Sequence, residues 1–335
     1  MAAGWVADNM SNLDILALGE ALIEFVRMED TSSSNDQDQQ DQTPNRPYYK
    51  QGFGGDTSNA LIAATRQCKT PGLSTGYISA VGDDPLGKEL LKLWQQEGIA
   101  VDHVDVAATD PTGVYFVQPD GSAAMGKQFS YARRGSAASH YNSSHLPLDT
   151  IAKAKVLHTS ALSCAISQSM SDAVQTACEH ARTNNTLVSF DTNLRLNLWS
   201  LESAIATIEK LLPHIDIVFP SDDEAQQICG RTDRDAMIDY FLEFGCSMVV
   251  LTCGADGAIF ANASERFSIA AADSKPVDST AAGDSFAGAF LAHYLDTGDV
   301  RFASRCAAIT AALTVSSYGA IDAIPQREQV LERLN

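Results

Sequence analysis

The chain has 335 residues, 45% of them apolar and 7% aromatic, which allows one large α/β domain with a small appendage. Lys and Arg total 23 against 42 Asp and Glu, a formal net charge of −19. This balance argues against nucleic acid or a membrane surface as a partner, because both need a basic surface. A local cluster of arginines could still bind a small anion.

The cysteines and the N-terminus indicate a cytoplasmic protein. Seven scattered cysteines without a Cys-x-x-Cys pair are typical of reduced, mostly buried thiols. The first eleven residues lack a basic patch followed by an apolar run, and no stretch of 18 uncharged apolar residues occurs. The seven histidines show no spacing typical of a zinc site.

The predicted elements alternate between strands and helices. In chain order these are strands within 13–27, a helix at 56–67, a strand at 73–81, an amphipathic helix at 85–98, a hairpin over 113–133, short strands at 156–159, 187–191, 215–219, 248–252 and 258–260 with helices between them, and Ala-rich helices at 281–296 and 300–316. This order predicts a doubly wound, mostly parallel sheet within one domain, 13–330.

Two further stretches interrupt that alternation. A small β-rich piece, inserted from about 20–53 and 109–135, is expected to form a lid above the carboxyl edge of the sheet, where ligands bind. The polar run 28–46, centred on SSSNDQDQQDQTPN, offers nothing to bury and predicts a flexible surface loop.

The stretch Asp278–Phe286 carries the clearest chemistry. Ala281, Ala282 and Gly283 leave the backbone N–H groups uncovered at the start of an Ala-rich helix, a natural anion site. Asp284 stands at the same place and could accept a proton from an attacking hydroxyl. The alternative is that Asp284 only caps the helix.

Two glycine-rich turns are weaker signals. Thr252–Gly257 follows a strand and could bring backbone close to a nucleotide, or be an ordinary tight turn. Gly52–Asn59 leads into a helix, where Asp56 and Asn59 could hold hydroxyls or serve as helix caps. The chain contains no Walker A loop, and Gly19-Glu20 after the first strand is not a dinucleotide fingerprint.

Polar groups also follow two strand ends and line one lid strand. Asp191–Arg195 follows one strand, and Ser221–Glu224 follows the next, where acidic groups could hold a metal–nucleotide through water or form a capping box. Tyr131 and Arg133 share one face of a strand, so Arg133 could bind a carboxylate or be a solvated lid residue.

Together these stretches resemble the ribokinase-like (PfkB) family of carbohydrate kinases over about Leu13 to Arg327. The stretch Gly54–Ala60 is similar to the family's N-terminal signature and Gly82–Gly87 to its second conserved stretch. Asp278–Phe286 resembles the C-terminal signature, with Ala281 in place of glycine.

Within the family, the chain looks most like the bacterial 2-keto-3-deoxygluconate kinases, on Asp191-Thr-Asn-Leu-Arg195 and the Thr-Ala-Ala-Gly-Asp-Ser-Phe run. The resemblance implies a ribokinase-like fold, ATP with Mg²⁺, and a sugar acid as substrate. It also implies a homo-oligomer formed through the lid.

The resemblance further implies a role for each site residue. The sugar hydroxyls would be held by Gly55, Asp56 and Asn59, and the carboxylate and keto end by Tyr115, Tyr131, Arg133 and Arg195. ATP would lie along Asn193, Ser221, Thr252, Gly254, Ala255 and Gly257, with adenine near Ala308 and Mg²⁺ near Glu224 through water. A K⁺ site near Asp278 and Thr280 is implied as well.

Other functions stay open at this point. A fructokinase or ribokinase of the same family is the near alternative, and two convergent arginines argue against a neutral sugar. A sugar-sensing, non-catalytic relative is disfavoured by the presence of Asp284. An NAD-dependent oxidoreductase is disfavoured by the missing fingerprint.

Overall fold

The computed structural model describes residues 13–28, 48–69, 72–119 and 127–334. All but the first residue of the predicted loop 28–46 lies outside the described residues. The predicted hairpin turn at 120–121 lies outside them too.

The described residues form thirteen strands and twelve helices. The strands are β1 Ile15–Leu18, β2 Leu22–Met28, β3 Tyr48–Gly54, β4 Thr75–Gly82, β5 Ala100–Ala107, β6 Val114–Pro119, β7 Lys127–Ala132, β8 Val156–Ser160, β9 Leu187–Asp191, β10 Ile217–Phe219, β11 Met248–Thr252, β12 Ala258–Asn262 and β13 Arg266–Ile269. The helices are α1 Asp56–Gln67, α2 Pro85–Glu97, α3 Ala137–His140, α4 Leu148–Ile151, α5 Ala161–Ile166, α6 Gln168–Thr183, α7 Leu201–Leu211, α8 Asp222–Cys229, α9 Arg234–Glu243, α10 Ala282–Thr297, α11 Val300–Thr314 and α12 Arg327–Glu332.

Nine strands form the main sheet in the order β13-β12-β11-β10-β9-β8-β1-β4-β5. All pairs from β11 to β5 are parallel, while β12 and β13 add two antiparallel strands at one edge. From β1 the chain winds first to one side of the sheet, through β4 and β5, and later to the other, through β8 to β13. The carboxyl edge beside β1 is therefore a topological switch point, where open α/β sheets bind ligands.

The remaining four strands form a second sheet, the lid, in the order β3-β2-β6-β7. Strands β2 and β6 are parallel, and the other two pairs are antiparallel. The lid comes from two separate stretches of the chain, one carrying β2 and β3 and the other β6 and β7.

Helices cover both faces of the main sheet, and each face has its own hydrophobic cluster. Alternation along β1 shows the division, because Leu16 and Leu18 belong to one cluster and Ile15 and Ala17 to the other. Trp94, on the predicted amphipathic helix, is fully buried in the second cluster.

Three strands were not predicted individually. One is β3, Tyr48–Gly54, whose exposed start includes Lys50 and Gln51 and whose end was expected to be a glycine-rich turn. The other two lie at the edges of the main sheet. β5 begins at Ala100 and β13 at Arg266, and both contain exposed polar residues that weaken the apolar signal of a strand. All seven cysteines are free, and five of them are buried. Among the described helices, none combines the length and the apolar character that a membrane crossing demands.

Candidate active site

The helix α10 begins without a capping side chain. Ala281, its N-cap residue, has φ of 61° in the left-handed region, which turns the chain sharply into the helix. Asp284 lies in the first turn, where its Oδ2 accepts a hydrogen bond of 2.8 Å from Asn59 Nδ2. Asp284 is thus not the N-cap residue, and its side chain makes no capping hydrogen bond.

Asn59 reaches Asp284 because α1 and α10 pack unusually closely. Gly288 on α10 faces the backbone of Ala60, and a Cβ at residue 288 would overlap the Ala60 carbonyl. Glycine at this position lets the two helix backbones approach each other. Asn59 directly precedes Ala60 on α1, so this close approach brings the Asn59 side-chain amide within hydrogen-bonding distance of Asp284.

The pKa of Asp284 is strongly perturbed. Burial raises it from its ordinary value to about 7, and the neighbouring carboxylate of Asp56 adds to the shift. The hydrogen bond from Asn59 and the charge of Arg195 oppose it. A carboxylate with a pKa near neutrality is suited to accept a proton at physiological pH.

The start of α1 contributes a second carboxylate. Gly55 has φ of 128°, and a Cβ there would press against the backbone of Glu20, so only glycine fits. Asp56 is buried, with Oδ1 accepting from its neighbour Thr57 N at 2.8 Å and Oδ2 from Asn193 Nδ2 at 2.9 Å. The second hydrogen bond joins Asp56, which is predicted to bind the substrate, to Asn193, which is predicted to bind ATP.

The loop after β9 turns at Asn193, whose φ is 21°. Asp191 ends the strand and accepts a hydrogen bond of 3.0 Å from the Asn193 backbone N–H. Burial raises the pKa of Asp191 well above its ordinary value, and Glu224 and Asp284 add to the effect. Several carboxylates therefore share this edge of the sheet.

The predicted capping box at α8 is only half formed. Ser221 Oγ accepts from Glu224 N at 3.3 Å, so Ser221 does cap the helix. The carboxylate of Glu224 points elsewhere, accepting from Thr192 Oγ1 at 2.7 Å and from Leu194 N at 2.9 Å. Glu224 therefore holds the loop after β9, and Arg195 Nη1 lies 3.7 Å from it.

Arg133 is buried, so the interpretation of Arg133 as a solvated residue of the lid is wrong. Its guanidinium Nη2 forms an ion pair with Glu20, whose other oxygen accepts from Ser136 Oγ at 3.0 Å. Arg133 Nε is buried without a hydrogen-bond partner among the described residues. The sequence did not predict that Arg133 would already be paired.

One cavity of about 630 Å³ brings most of the predicted site together. The predicted residues that line it are Gly55, Asp56, Asn59, Tyr115, Tyr131, Arg133, Asn193, Arg195, Ser221, Glu224, Thr252, Asp278, Thr280, Ala281, Ala282, Gly283 and Asp284. Lid and main sheet both contribute, so the lid closes over the carboxyl edge.

Several lining residues were not predicted as site residues: Leu22, Phe129, Leu162, Asp191, Asn197, Phe219, Val277 and Ser279. Asp191 was noted only as the start of the stretch Asp191–Arg195, with no role of its own, and the rule that ligands bind at carboxyl ends, extended by two residues, could have identified Asn197. The others are apolar or flanking residues that only the packing reveals.

Four predicted nucleotide residues lie outside this cavity. Gly254, Ala255 and Gly257 form a 3₁₀ turn and its end, and Gly257, with φ of 93°, packs against the backbone after β13. The positive φ and the contact with residues 269–271 both require glycine at position 257. Ala308 lies on α11 and lines a second groove of about 1360 Å³ with residues 267–275.

The fold and the cavity together define a class of protein. A switch-point cavity with a helix start that no side chain caps, a carboxylate of raised pKa and a β lid is the architecture of a ribokinase-like small-molecule kinase. The chain belongs to the PfkB family, since the family model described as "pfkB family carbohydrate kinase" matches residues 12–327.

Relatives and solved structures agree with this family. The chain is 32% identical to a 2-dehydro-3-deoxygluconokinase from Thermoproteus tenax (86% of each chain) and 31% identical to one from Dickeya dadantii (81% and 89%). It is 29% identical to "Probable fructokinase-5" of Arabidopsis thaliana (93% and 94%).

Among solved structures, a PfkB protein from Polaromonas sp. JS666 superposes with a TM-score of 0.81 at 27% identity, covering 95% of this chain and 99% of that one. A ribokinase II from E. coli, in complex with ATP and Mg²⁺, superposes with a TM-score of 0.82 at 24% identity, covering 96% and 99%. The ribokinase-like fold predicted from the sequence is confirmed.

Proposed function

We propose that this chain phosphorylates the terminal hydroxyl of 2-keto-3-deoxygluconate with ATP, and that Asp284 is the general base. The observation that carries the proposal is the position of Asp284, a partly buried carboxylate of raised pKa at an uncapped helix start, in the same cavity as Arg195. Relatives named 2-dehydro-3-deoxygluconokinase, the same activity, support the choice of substrate.

Asp284 would accept the proton of the attacking hydroxyl, while Asn59 keeps its carboxylate oriented. The backbone N–H groups of Ala281, Ala282 and Gly283 would stabilise the negative charge on the transferring phosphoryl group. Base and anion site belong to the same helix turn, so their relative positions are fixed by the backbone of α10. General-base catalysis of this kind contributes roughly 10²–10⁴-fold to the rate.

ATP would lie along the carboxyl edge. Asn193, Ser221 and Thr252 line the cavity, and a β-bridge between Ser221 and Thr252 places their two loops side by side. The turn containing Gly254, Ala255 and Gly257 continues from there, and the groove at Ala308 would take the adenine.

Mg²⁺ would arrive with ATP and neutralise phosphate charge. Among the described residues, no cluster of three or more His, Cys, Asp or Glu side chains is arranged to hold a metal ion. Glu224, whose oxygens already accept from Thr192 and Leu194, fits a contact through water better than direct coordination.

A K⁺ site near Asp278 and Thr280 is a further part of the proposal. Asp278 is buried, and its two oxygens accept from Thr280 and from Gly319 N, which folds the loop after α11 over this carboxylate. A higher melting temperature in KCl than in NaCl would support it, and equal temperatures would argue against it.

Two chains would associate through the lid. Phe25, Phe116 and Tyr49 form an aromatic cluster on the lid with ring centroids 5.5 and 5.8 Å apart, and Phe116 and Tyr49 are exposed. Apolar patches of this kind often mark interfaces. Light scattering of the wild type and of Phe116→Glu tests this, since only the variant should be monomeric.

The second candidate is a fructokinase, favoured by the similarity to "Probable fructokinase-5" over 93% of the chain. One coupled assay of ATP turnover separates the two, with a panel of 2-keto sugar acids and neutral sugars. We expect the highest kcat/KM for 2-keto-3-deoxygluconate; a clear preference for fructose would support the second candidate.

The same assay tests the base. Asp284→Asn is nearly isosteric and should still bind ATP, but its amide cannot take a proton, so turnover should fall by roughly 10²–10⁴-fold. Near wild-type turnover with normal ATP affinity would contradict the assignment of Asp284.

A further inference from the structure

Tyr115 and Glu24 form a buried, hydrogen-bonded pair in the lid. The register of β2 and β6 places them opposite each other, and the Tyr115 hydroxyl donates to Glu24 Oε1 at 2.8 Å. Tyr115 is 7% exposed and Glu24 is 9% exposed, and Tyr115 also lines the cavity. The pair therefore connects the lid interior with the space for a substrate.

The neighbouring strand β3 has glycine at both positions that face this pair. A Cβ at Gly54 would overlap the Tyr115 hydroxyl, and a Cβ at Gly52 would lie 2.7 Å from Glu24 Oε2. The ring of Tyr131 stacks on that of Tyr115 with centroids 5.7 Å apart. Tyr115 is therefore held on two sides, and its hydroxyl has a fixed position.

The direction of this hydrogen bond decides what Tyr115 can do in the cavity. A phenol has one hydrogen to donate, and a carboxylate can only accept. Burial raises the pKa of Tyr115, so the phenol stays protonated. Its hydrogen is committed to Glu24, and only the oxygen lone pairs remain for a ligand.

A ligand group at this position must donate a hydrogen. A sugar hydroxyl can donate, whereas a carboxylate or keto oxygen cannot and would lie against the lone pairs of Tyr115. The resemblance assigns Tyr115 to the carboxylate and keto end of the substrate. The hydrogen bond to Glu24 argues for the hydroxyl-bearing part instead.

We infer that Glu24 makes Tyr115 a hydrogen-bond acceptor, which selects for a secondary hydroxyl of the sugar chain. Tyr115 would contact the substrate, and Glu24 would be a positioning residue that acts through it. The inference rests on the proposed function for the identity of the sugar, but the selection for a hydroxyl follows from the pair itself.

The test compares kcat/KM for 2-keto-3-deoxygluconate with that for analogues that each lack one secondary hydroxyl. The wild type should discriminate against one analogue by about 10²-fold or more, because losing the donor leaves a buried acceptor unpaired. Tyr115→Phe should reduce that ratio to roughly threefold, because the acceptor is gone.

For Glu24→Gln, the ratio of kcat/KM for the substrate to kcat/KM for the deoxy analogue should lie between those of the wild type and Tyr115→Phe. Its amide can donate to the phenol oxygen as well as accept from it, so the Tyr115 hydrogen is no longer confined to one direction. A purely structural role of Glu24 would lower kcat/KM for substrate and analogues alike and leave the ratio unchanged.

Tyr141→Phe is the matched control. It removes a buried phenol outside the cavity that donates to the His145 carbonyl at 3.1 Å, so the ratio should stay at its wild-type value. The inference is overturned if Tyr115→Phe keeps wild-type discrimination against every analogue.

The test also separates this inference from the proposed function. If the enzyme phosphorylates only neutral sugars, the substrate assignment is wrong, and the ratios are measured with deoxy analogues of the accepted sugar. A lower ratio in Tyr115→Phe then still supports the acceptor role, and an unchanged ratio overturns it.

Discussion

Arg133 and Arg195 line the same cavity, yet the structure gives them different surroundings. The Arg133 side chain is 8% exposed and forms an ion pair with Glu20, which is fully buried. The Arg195 side chain is 47% exposed and has a carboxylate, Glu224, no closer than 3.7 Å.

This difference shows that two guanidinium groups at one site need not contribute equal charge. The charge of Arg133 is balanced by Glu20, so Arg133 offers a ligand oriented N–H donors with little net charge. Arg195 faces a carboxylate that already accepts from Thr192 and Leu194. We therefore expect Arg195 to select for the negative charge of a sugar acid and Arg133 to fix its orientation.

The largest expected effect follows Arg133→Leu. This change leaves Glu20 buried and unpaired, and breaking such a pair costs about 3–5 kcal/mol of stability. Urea unfolding should show the loss, and activity should fall with it. The substitution therefore changes stability and substrate binding together.

The double variant Glu20→Gln/Arg133→Leu is the control for that prediction. Removing both charges should restore much of the lost stability, because no unpaired charge remains in the interior. If the single and double variants are equally unstable, the unpaired charge of Glu20 is not the cause of the lost stability.

A smaller effect is expected for Arg195→Leu. Its side chain is half exposed, so the fold should be unchanged, while kcat/KM for 2-keto acids should fall by about tenfold, below the loss for a fully buried pair. Activity with neutral sugars should change little. An equal loss for acids and neutral sugars would show that Arg195 contacts phosphate or shapes the loop instead.

The smallest expected effect is on the pH dependence. Asp284 must be deprotonated to act as a base, so the rate should fall as the pH drops below its pKa of about 7. The charge of Arg195 lowers that pKa, so Arg195→Leu should shift the acidic limb to higher pH. In the double variant Glu20→Gln/Arg133→Leu the acidic limb of the pH–rate profile should not move. A similar shift there would contradict the different roles assigned to Arg133 and Arg195.

The same pKa predicts a stability effect with a definite sign. The pKa of Asp284 is higher in the folded state than its ordinary value of 3.8, so its contribution to stability is fully present at low pH and is lost as the pH rises through about 7. Asp284→Asn should therefore gain stability relative to the wild type between pH 5 and pH 8. Melting temperatures at both values test this.

Much of the fold was predictable because it rests on local patterns. Apolar runs after polar turns predicted β8, β9 and β11, and Ala-rich helical periodicity predicted α10 and α11. The polar residues in β5 and β13 hid those strands, since sheet edges tolerate side chains that weaken the apolar signal.

The site was predictable to the extent that it follows one rule. Side chains just after parallel strands meet at one edge, which is why Asp191–Arg195, Ser221–Glu224 and Thr252 come together. The lid residues of the site could be located only once the β6–β7 hairpin had a position above that edge. The spacing of Tyr131 and Arg133 predicted only that their side chains share one face of a strand.

The sequence by itself determined the kind of protein: the helix-start run ending at Asp284, the alternation of strands and helices along the chain and the family signatures can all be read without knowing which strands pair. Only the tertiary structure decided how the charges are paired. Glu20 and Arg133 are 113 residues apart, and Asn59 and Asp284 are 225 apart. Ionisation and hydrogen-bond direction depend on burial and on neighbours a few ångströms away, and no local pattern records those distances.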